Sequence, residues 1–283
     1  MAVIKMNFLS KFLGMQTNVT ICLPSFSFAD VMNGRASDNY VKGMQYQVLY
    51  LLHGGSGDDS DYVNFSNIVR YADDHKLAVV MPCDYNADYT DQPNGPKYWR
   101  YLTEELPAMC RSLFALSDRQ EDNFVGGLSM GAHGAMKWAL MKPEMFRAAL
   151  IMSGAARHPD IIQNFSAPKP IPGVDPEIMP MPDMKTIYGD LTRFKGSNCD
   201  AYAAAEKNAK EKKTETKFFF TCGDKDFAMA RCRQGYEALT ALGYDTFFES
   251  VPGYAHEWDF WDLSLKKAIA QWLPIRHSAI YPE

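Results

Sequence analysis

No apolar stretch in this chain reaches the ~18 residues that a membrane span needs, so a bilayer-crossing protein is not expected. Cysteine is sparse: Cys22, Cys83, Cys110, Cys199, Cys222 and Cys232 form no C-x-x-C pair. That speaks against a zinc or disulfide framework and for reduced thiols. Positive charge is in deficit, with a net charge of -5, so neither nucleic acid nor an anionic membrane is the expected partner. Internal repeats and low-complexity blocks are missing. So is a calcium loop: "DDSD" (Asp58 to Asp61) lacks the spaced oxygen ligands and reads as a solvated turn with a helix N-cap. The N-terminal "MAVIKMNFLSKFLGM" lacks an unbroken apolar core and a small-residue cleavage site. It is therefore read as mature structure, the sequons at Asn18, Asn64 and Asn164 carry little weight, and the expected compartment is the cytoplasm.

What is present is enough for one large core: 283 residues, 47% of them hydrophobic. Short apolar runs, "YQVLYLL", "LAVVMP", "NFVGGL", "FRAALIMSG", "TKFFFTCG" and "DTFFESVPG", alternate with amphipathic segments. Such a pattern predicts an α/β fold whose mostly parallel sheet is covered by helices on both faces. The first strands, including "TNVTICLP", have no helix between them and predict an antiparallel start. Pro107 is expected to kink or break "YWRYLTEELPAMCRSLF" near its start. From Ala155 to about Asp200 the chain is proline-rich and aperiodic. Residues 1–283 are read as a single domain, with 155–200 as a lid-like insertion after the strand that follows the "GLSMG" helix.

Four glycines crowd one serine in "NFVGGLSMGAHGAMKWAL", residues 123–140. In strand–G-x-S-x-G–helix the serine occupies a very tight turn with its hydroxyl above the sheet, and side chains at Gly127 and Gly131 would collide with neighbours. Such a serine, here Ser129, needs a base. The chain order serine, acid, histidine leaves His158, His256 and His277. His158 follows Ser129 too soon for an intervening acid, and His277 lies in a tail. His256, in the loop "PGYAHEW", is the expected base. The acid should sit just past a strand, where "KFFFTCGDKDF" offers both Asp224 and Asp226; the other one could cap the next helix. Oxyanion donors are expected from the Met130 N–H and from "LLHGGSGDD", with Gly55 preferred and Gly54 the alternative. His53 reads as a loop-orienting residue. Trp258 and Trp261 read as helix-packing anchors, and Met179, Met181 and Met184 as either pocket lining or plain loop packing.

These residues together resemble the putative-esterase family of α/β-hydrolases, which includes S-formylglutathione hydrolase (esterase D), feruloyl esterases and bacterial tributyrin esterases. "VIKMNFLSKFLGM", "YLLHGGSGDDSDY", "YLTEELP", "GLSMGAHGAMKWAL", "CGDKDF" and "GYAHEWDFWD" fall in the family's order over nearly the whole chain, tributyrin esterases being the most similar. The resemblance implies an α/β-hydrolase fold and puts the acid at the last position of a G-x-x-D pattern, Gly223 to Asp226. The oxyanion-loop position is Gly55, where esterase D enzymes usually carry a bulkier residue. The implied function is a serine carboxylesterase acting on short-chain acyl or aryl esters, with no cofactor and no metal. Feruloyl esterase and S-formylglutathione hydrolase are alternatives within the class, and a non-catalytic hydrolase-like binding protein is one outside it. The expected partner is a small-molecule ester; the sequence admits a homo-oligomer without requiring one.

Overall fold

The computed structural model describes residues 1–34, 39–165, 175 and 183–282. Its strands are β1 (Ala2–Leu9), β2 (Gln16–Leu23), β3 (Val48–Leu52), β4 (Ala78–Pro82), β5 (Asn123–Leu128), β6 (Ala148–Met152), β7 (Lys217–Gly223) and β8 (Thr246–Val251). They form one sheet in the order β1-β2-β4-β3-β5-β6-β7-β8. Strands β3 to β8 run parallel, while β1 pairs antiparallel with β2 and β2 antiparallel with β4. The expected antiparallel start is therefore present. Strand β1 lies at the edge of the sheet, and its burial alternates residue by residue.

The central strands are apolar throughout because both faces are covered. Val48, Tyr50 and Leu52 face one core cluster with Trp138, Leu106 and Leu239; Leu49 and Leu51 face the other with Tyr71, Phe260 and Leu265. Adjacent residues of a strand point to opposite faces, so one five-residue run serves two cores. Trp138 is fully buried and packs edge-on to Phe146 at 4.9 Å.

Two local features refine the sequence reading. Before Pro107 the helical segment opens into a π turn over Tyr101–Glu105, then continues as an α-helix over Leu106–Leu113. Proline lacks an N–H and presses on the carbonyl four residues back, and a widened turn accommodates both. The helix Ala201–Lys210 has no counterpart in the sequence reading, although "AYAAAEKNAK" is alanine-rich and Asp200 caps it by accepting the Tyr202 and Ala203 N–H groups. Within 155–200 the described part holds two short α-helices, Pro159–Gln163 and Met184–Tyr188, and a 3-10 turn, Leu191–Arg193. Met184 packs with Ile162, Leu191 and Phe194 in a small satellite cluster, which is loop packing; Met179 and Met181 lie outside the described residues.

Candidate active site

Four neighbouring strands deliver their C-terminal ends to one edge of the sheet. After β5 comes Ser129, after β6 Ser153, after β7 Asp226, and the loop after β8 carries His256. Strand β5 becomes the helix Met130–Met141 across a single residue. That residue, Ser129, is driven to φ 55° and ψ -112°, a backbone geometry that side-chain-bearing residues rarely hold. Its N–H is tied to the Met152 carbonyl at 3.0 Å. The flanking glycines are steric necessities. A Cβ on Gly127 would run into the Gly131 carbonyl, and one on Gly131 into the carbonyls of Leu52 and His53. Gly134 lets the helix sit against the Tyr89 ring and Leu52.

The two candidate acids have different duties. The Asp226 side chain is buried and its carboxylate meets His256 Nδ1 at 3.0 Å to each oxygen. It also accepts the Ala228 N–H at 2.7 Å. Burial alone would raise the Asp226 carboxyl, but hydrogen bonds from His256, Ser153 and the Ala228 N–H outweigh it and hold the group below the usual carboxylate range. Asp224 is exposed and accepts the Gly253 N–H at 2.7 Å. Together with Asp224 N–H to Val251 O and Lys225 N–H to Tyr254 O, both 3.0 Å, it stitches the β8 loop onto the β7 loop. Asp224 thus holds the His256 loop. The residue that bonds the start of the next helix is Asp226 itself.

The His256 ring lies between Phe227, centroids 4.4 Å apart, and Trp261, which meets it edge to face at 4.9 Å and 89°. Its side chain is 20% exposed. Among the described residues no hydrogen bond joins Ser129 to His256; such bonds are commonly long before a substrate arrives. Trp261 is more than a packing anchor, since its Nε1–H donates to Ser153 Oγ at 2.9 Å.

The loop after β3 is set by His53, whose Nδ1–H donates to the Gly54 carbonyl at 2.7 Å while Nε2 accepts the Asp84 N–H at 2.9 Å. Burial keeps this ring neutral, as both bonds require. Gly54 is tight against Leu128, 2.6 Å from where its Cβ would stand, whereas a Cβ on Gly55 would meet nothing within 4 Å. Further along, "DDSD" departs from a solvated turn. Asp58 does bind the Ser60 N–H at 2.7 Å, but Asp59 is buried and takes the Thr20 hydroxyl at 2.5 Å. Ser60 precedes the helix Asp61–Phe65 without a side-chain cap bond.

A second buried network had no sequence signature. Asp88, at φ 53°, is gripped by Arg157 through two 2.7 Å bonds and by the Tyr188 hydroxyl at 2.6 Å. His133 accepts the Arg157 N–H at 3.0 Å and contacts the Tyr188 hydroxyl at 3.2 Å. Burial pushes His133 down to about 3. Burial opposes the Asp88 charge too, yet Arg157 and its other partners keep that carboxyl far below the ordinary range. The network pins the start and the return of the 155–200 segment to the Met130–Met141 helix and to the loop after β4.

Residues 25–271 match the family described as "Putative esterase". The chain belongs to that family. Over 280 residues it is 29% identical to the acetyl esterase of Caldicellulosiruptor saccharolyticus, which covers 96% of this chain and 98% of that one. Among solved structures it is similar to the substrate-bound fluorophosphonate-binding serine hydrolase FphF of Staphylococcus aureus, with 31% identity, a TM-score of 0.79, and 95% and 97% of the two chains covered. The S-formylglutathione hydrolase FrmB of the same organism matches with 31% identity, a TM-score of 0.76 and the same coverage. The fold is thus that of the α/β-hydrolases, and the protein is a carboxylic ester hydrolase acting on a small-molecule ester. Among the described residues the esterase has no helix long and apolar enough to cross a membrane.

Proposed function

We propose that the esterase cleaves short-chain acyl or aryl esters by a Ser129–His256–Asp226 acyl-enzyme mechanism. The observation that carries this reading is the strained Ser129 elbow two strands from an Asp226–His256 pair already bonded through Nδ1. With Nδ1 committed to the carboxylate, Nε2 is the nitrogen that takes the Ser129 proton as Oγ attacks the carbonyl carbon. Asp226 then holds the imidazolium. The tetrahedral oxyanion is received by the N–H groups of Met130 and Gly55. Open space at Gly55, against the crowding of Gly54 and the bonds its carbonyl already makes to His53 and the Gly57 N–H, supports Gly55 as the second donor. His256 returns its proton to the leaving alcohol, and water repeats the sequence on the acyl-enzyme.

No step needs a metal or cofactor. Residues 1–283 act in this reading as one domain with 155–200 as an insertion; two cores on opposite faces of one sheet support it. Phe227, 63% exposed beside His256, and Phe65, 56% exposed beside Trp258, favour a feruloyl (hydroxycinnamoyl) ester as the second reading of the substrate.

Ser129→Ala should cut kcat on p-nitrophenyl acetate by at least about 10⁴-fold; near wild-type turnover would sink the mechanism. Asp226→Asn should cost far more kcat than Asp224→Asn, and the reverse ranking would overturn the acid. Comparing kcat/KM on p-nitrophenyl acetate, methyl ferulate and S-formylglutathione separates the short-chain reading from its alternatives.

A further inference from the structure

Of the four strand ends that converge on the site, the one after β6 has no assigned duty. Ser153 occupies it, 1% exposed, with φ 54°. A left-handed backbone costs a side-chain-bearing residue energy that glycine would not pay. Glycine is the very next residue, Gly154, so the strained position is held by the residue that brings a hydroxyl. The Ser153 N–H anchors it to the Thr221 carbonyl of β7 at 3.0 Å. Its Oγ accepts the Trp261 indole N–H at 2.9 Å, and its hydroxyl is among the groups that hold the Asp226 carboxyl below the usual range. A hydroxyl whose lone pair is engaged by a fixed donor has its own proton directed elsewhere, here to the carboxylate. Trp261 also touches the far end of the chain, its ring meeting the His256 imidazole edge to face. Indole, hydroxyl, carboxylate and imidazole therefore close into a ring of four side chains.

We propose that Ser153 and Trp261 are positioning residues of the ester hydrolysis: the indole N–H orients the Ser153 hydroxyl, the hydroxyl orients Asp226, and the carboxylate and the indole edge together orient His256. Neither residue touches the ester. The inference rests on the Ser129–His256–Asp226 reading and adds to it a reason for the strained serine after β6.

Steady-state kinetics on p-nitrophenyl acetate test it, with active sites counted by fluorophosphonate titration and Tm recorded for each variant. Ser153→Ala and Trp261→Phe should each lower kcat about tenfold with KM unchanged. Ser153→Gly should lose as much kcat although it frees the backbone, which a merely structural serine would not do. Because both changes break one chain, the double variant should be little worse than Ser153→Ala alone. Asp226→Asn, run alongside, separates the two levels. If it abolishes turnover while Ser153→Ala, Ser153→Gly and Trp261→Phe stay within about twofold of wild type in kcat, the positioning chain is wrong and the triad stands. If Asp226→Asn itself retains turnover, the triad reading falls. Losses in the double variant that multiply fully would also overturn the chain, since they would mark two independent contacts.

Discussion

A single peptide turn sets the character of the site. Ser129 keeps its left-handed backbone because Gly127 and Gly131 let strand, turn and helix pass within carbonyl contact of one another. Gly131→Ala must displace the Leu52 carbonyl, so it should cost about 2 kcal/mol or more, read as a Tm lower by at least about 5 °C. Gly55→Ala meets open space at an ordinary φ and should change stability by no more than about 0.5 kcal/mol, although that position faces the carbonyl in the proposed mechanism. These residue-scale constraints were legible, since a G-x-S-x-G turn admits few side chains. The choice between Asp224 and Asp226 was legible only through the family's G-x-x-D pattern, not from position after the strand. Both follow β7 by a few residues, and only the fold of the β8 loop decides which faces His256 and which holds Gly253. Ser153 was invisible for the same reason: nothing in "MSGAA" says that a tryptophan more than a hundred residues later will donate to it.

Elements were readable wherever a whole face was buried. The apolar runs became strands within a residue or two, because a strand covered on both sides has no polar positions to obscure it. Ala201–Lys210 escaped notice because it follows an aperiodic stretch and carries a weak apolar stripe. Its start is nonetheless strongly specified, with Asp200 accepting two helix N–H groups and also the Gly196 N–H. Asp200→Ala should therefore cost about 1–2 kcal/mol. Since no part of this cap reaches the site, thermal melting should detect the loss while kcat on p-nitrophenyl acetate stays put. The 155–200 segment gave no periodicity to read, and what anchors it is polar: Arg157 and Tyr188 close on Asp88, and His133 joins them from the Met130–Met141 helix.

At the scale of the whole molecule that buried cluster ties stability to pH. His133 is neutral in the folded protein down to about 3, whereas an unfolded histidine takes a proton near pH 6.5. The unfolded state therefore binds the extra proton between those values, and stability must fall as pH drops through that window. Asp88, depressed below the ordinary carboxylate value, adds a further loss in the same direction below about pH 4. Differential scanning fluorimetry should show Tm declining from about pH 7 to about pH 4. His133→Gln, which keeps an acceptor for the Arg157 N–H, should flatten part of that slope, with His53 supplying some of the remainder. An unchanged slope would remove His133 from the account.

The strand order has a consequence for how the chain is made. Strand β3 pairs Val48 with Ala78 on one side and with Asn123 on the other, so the middle of the sheet waits for segments translated much later. Contacts this remote in sequence form slowly. The reacting groups of the proposed mechanism are later still, the last of them following β8. A nascent or truncated chain that has folded β5 and its turn holds the nucleophile without its base, and so cannot acylate itself in the way of a working hydrolase. Turnover therefore reports that the final strand has docked. On refolding from denaturant, ester hydrolysis should return after the far-ultraviolet signal of the sheet and helices, and the interval between them measures the docking of β8 and its loop.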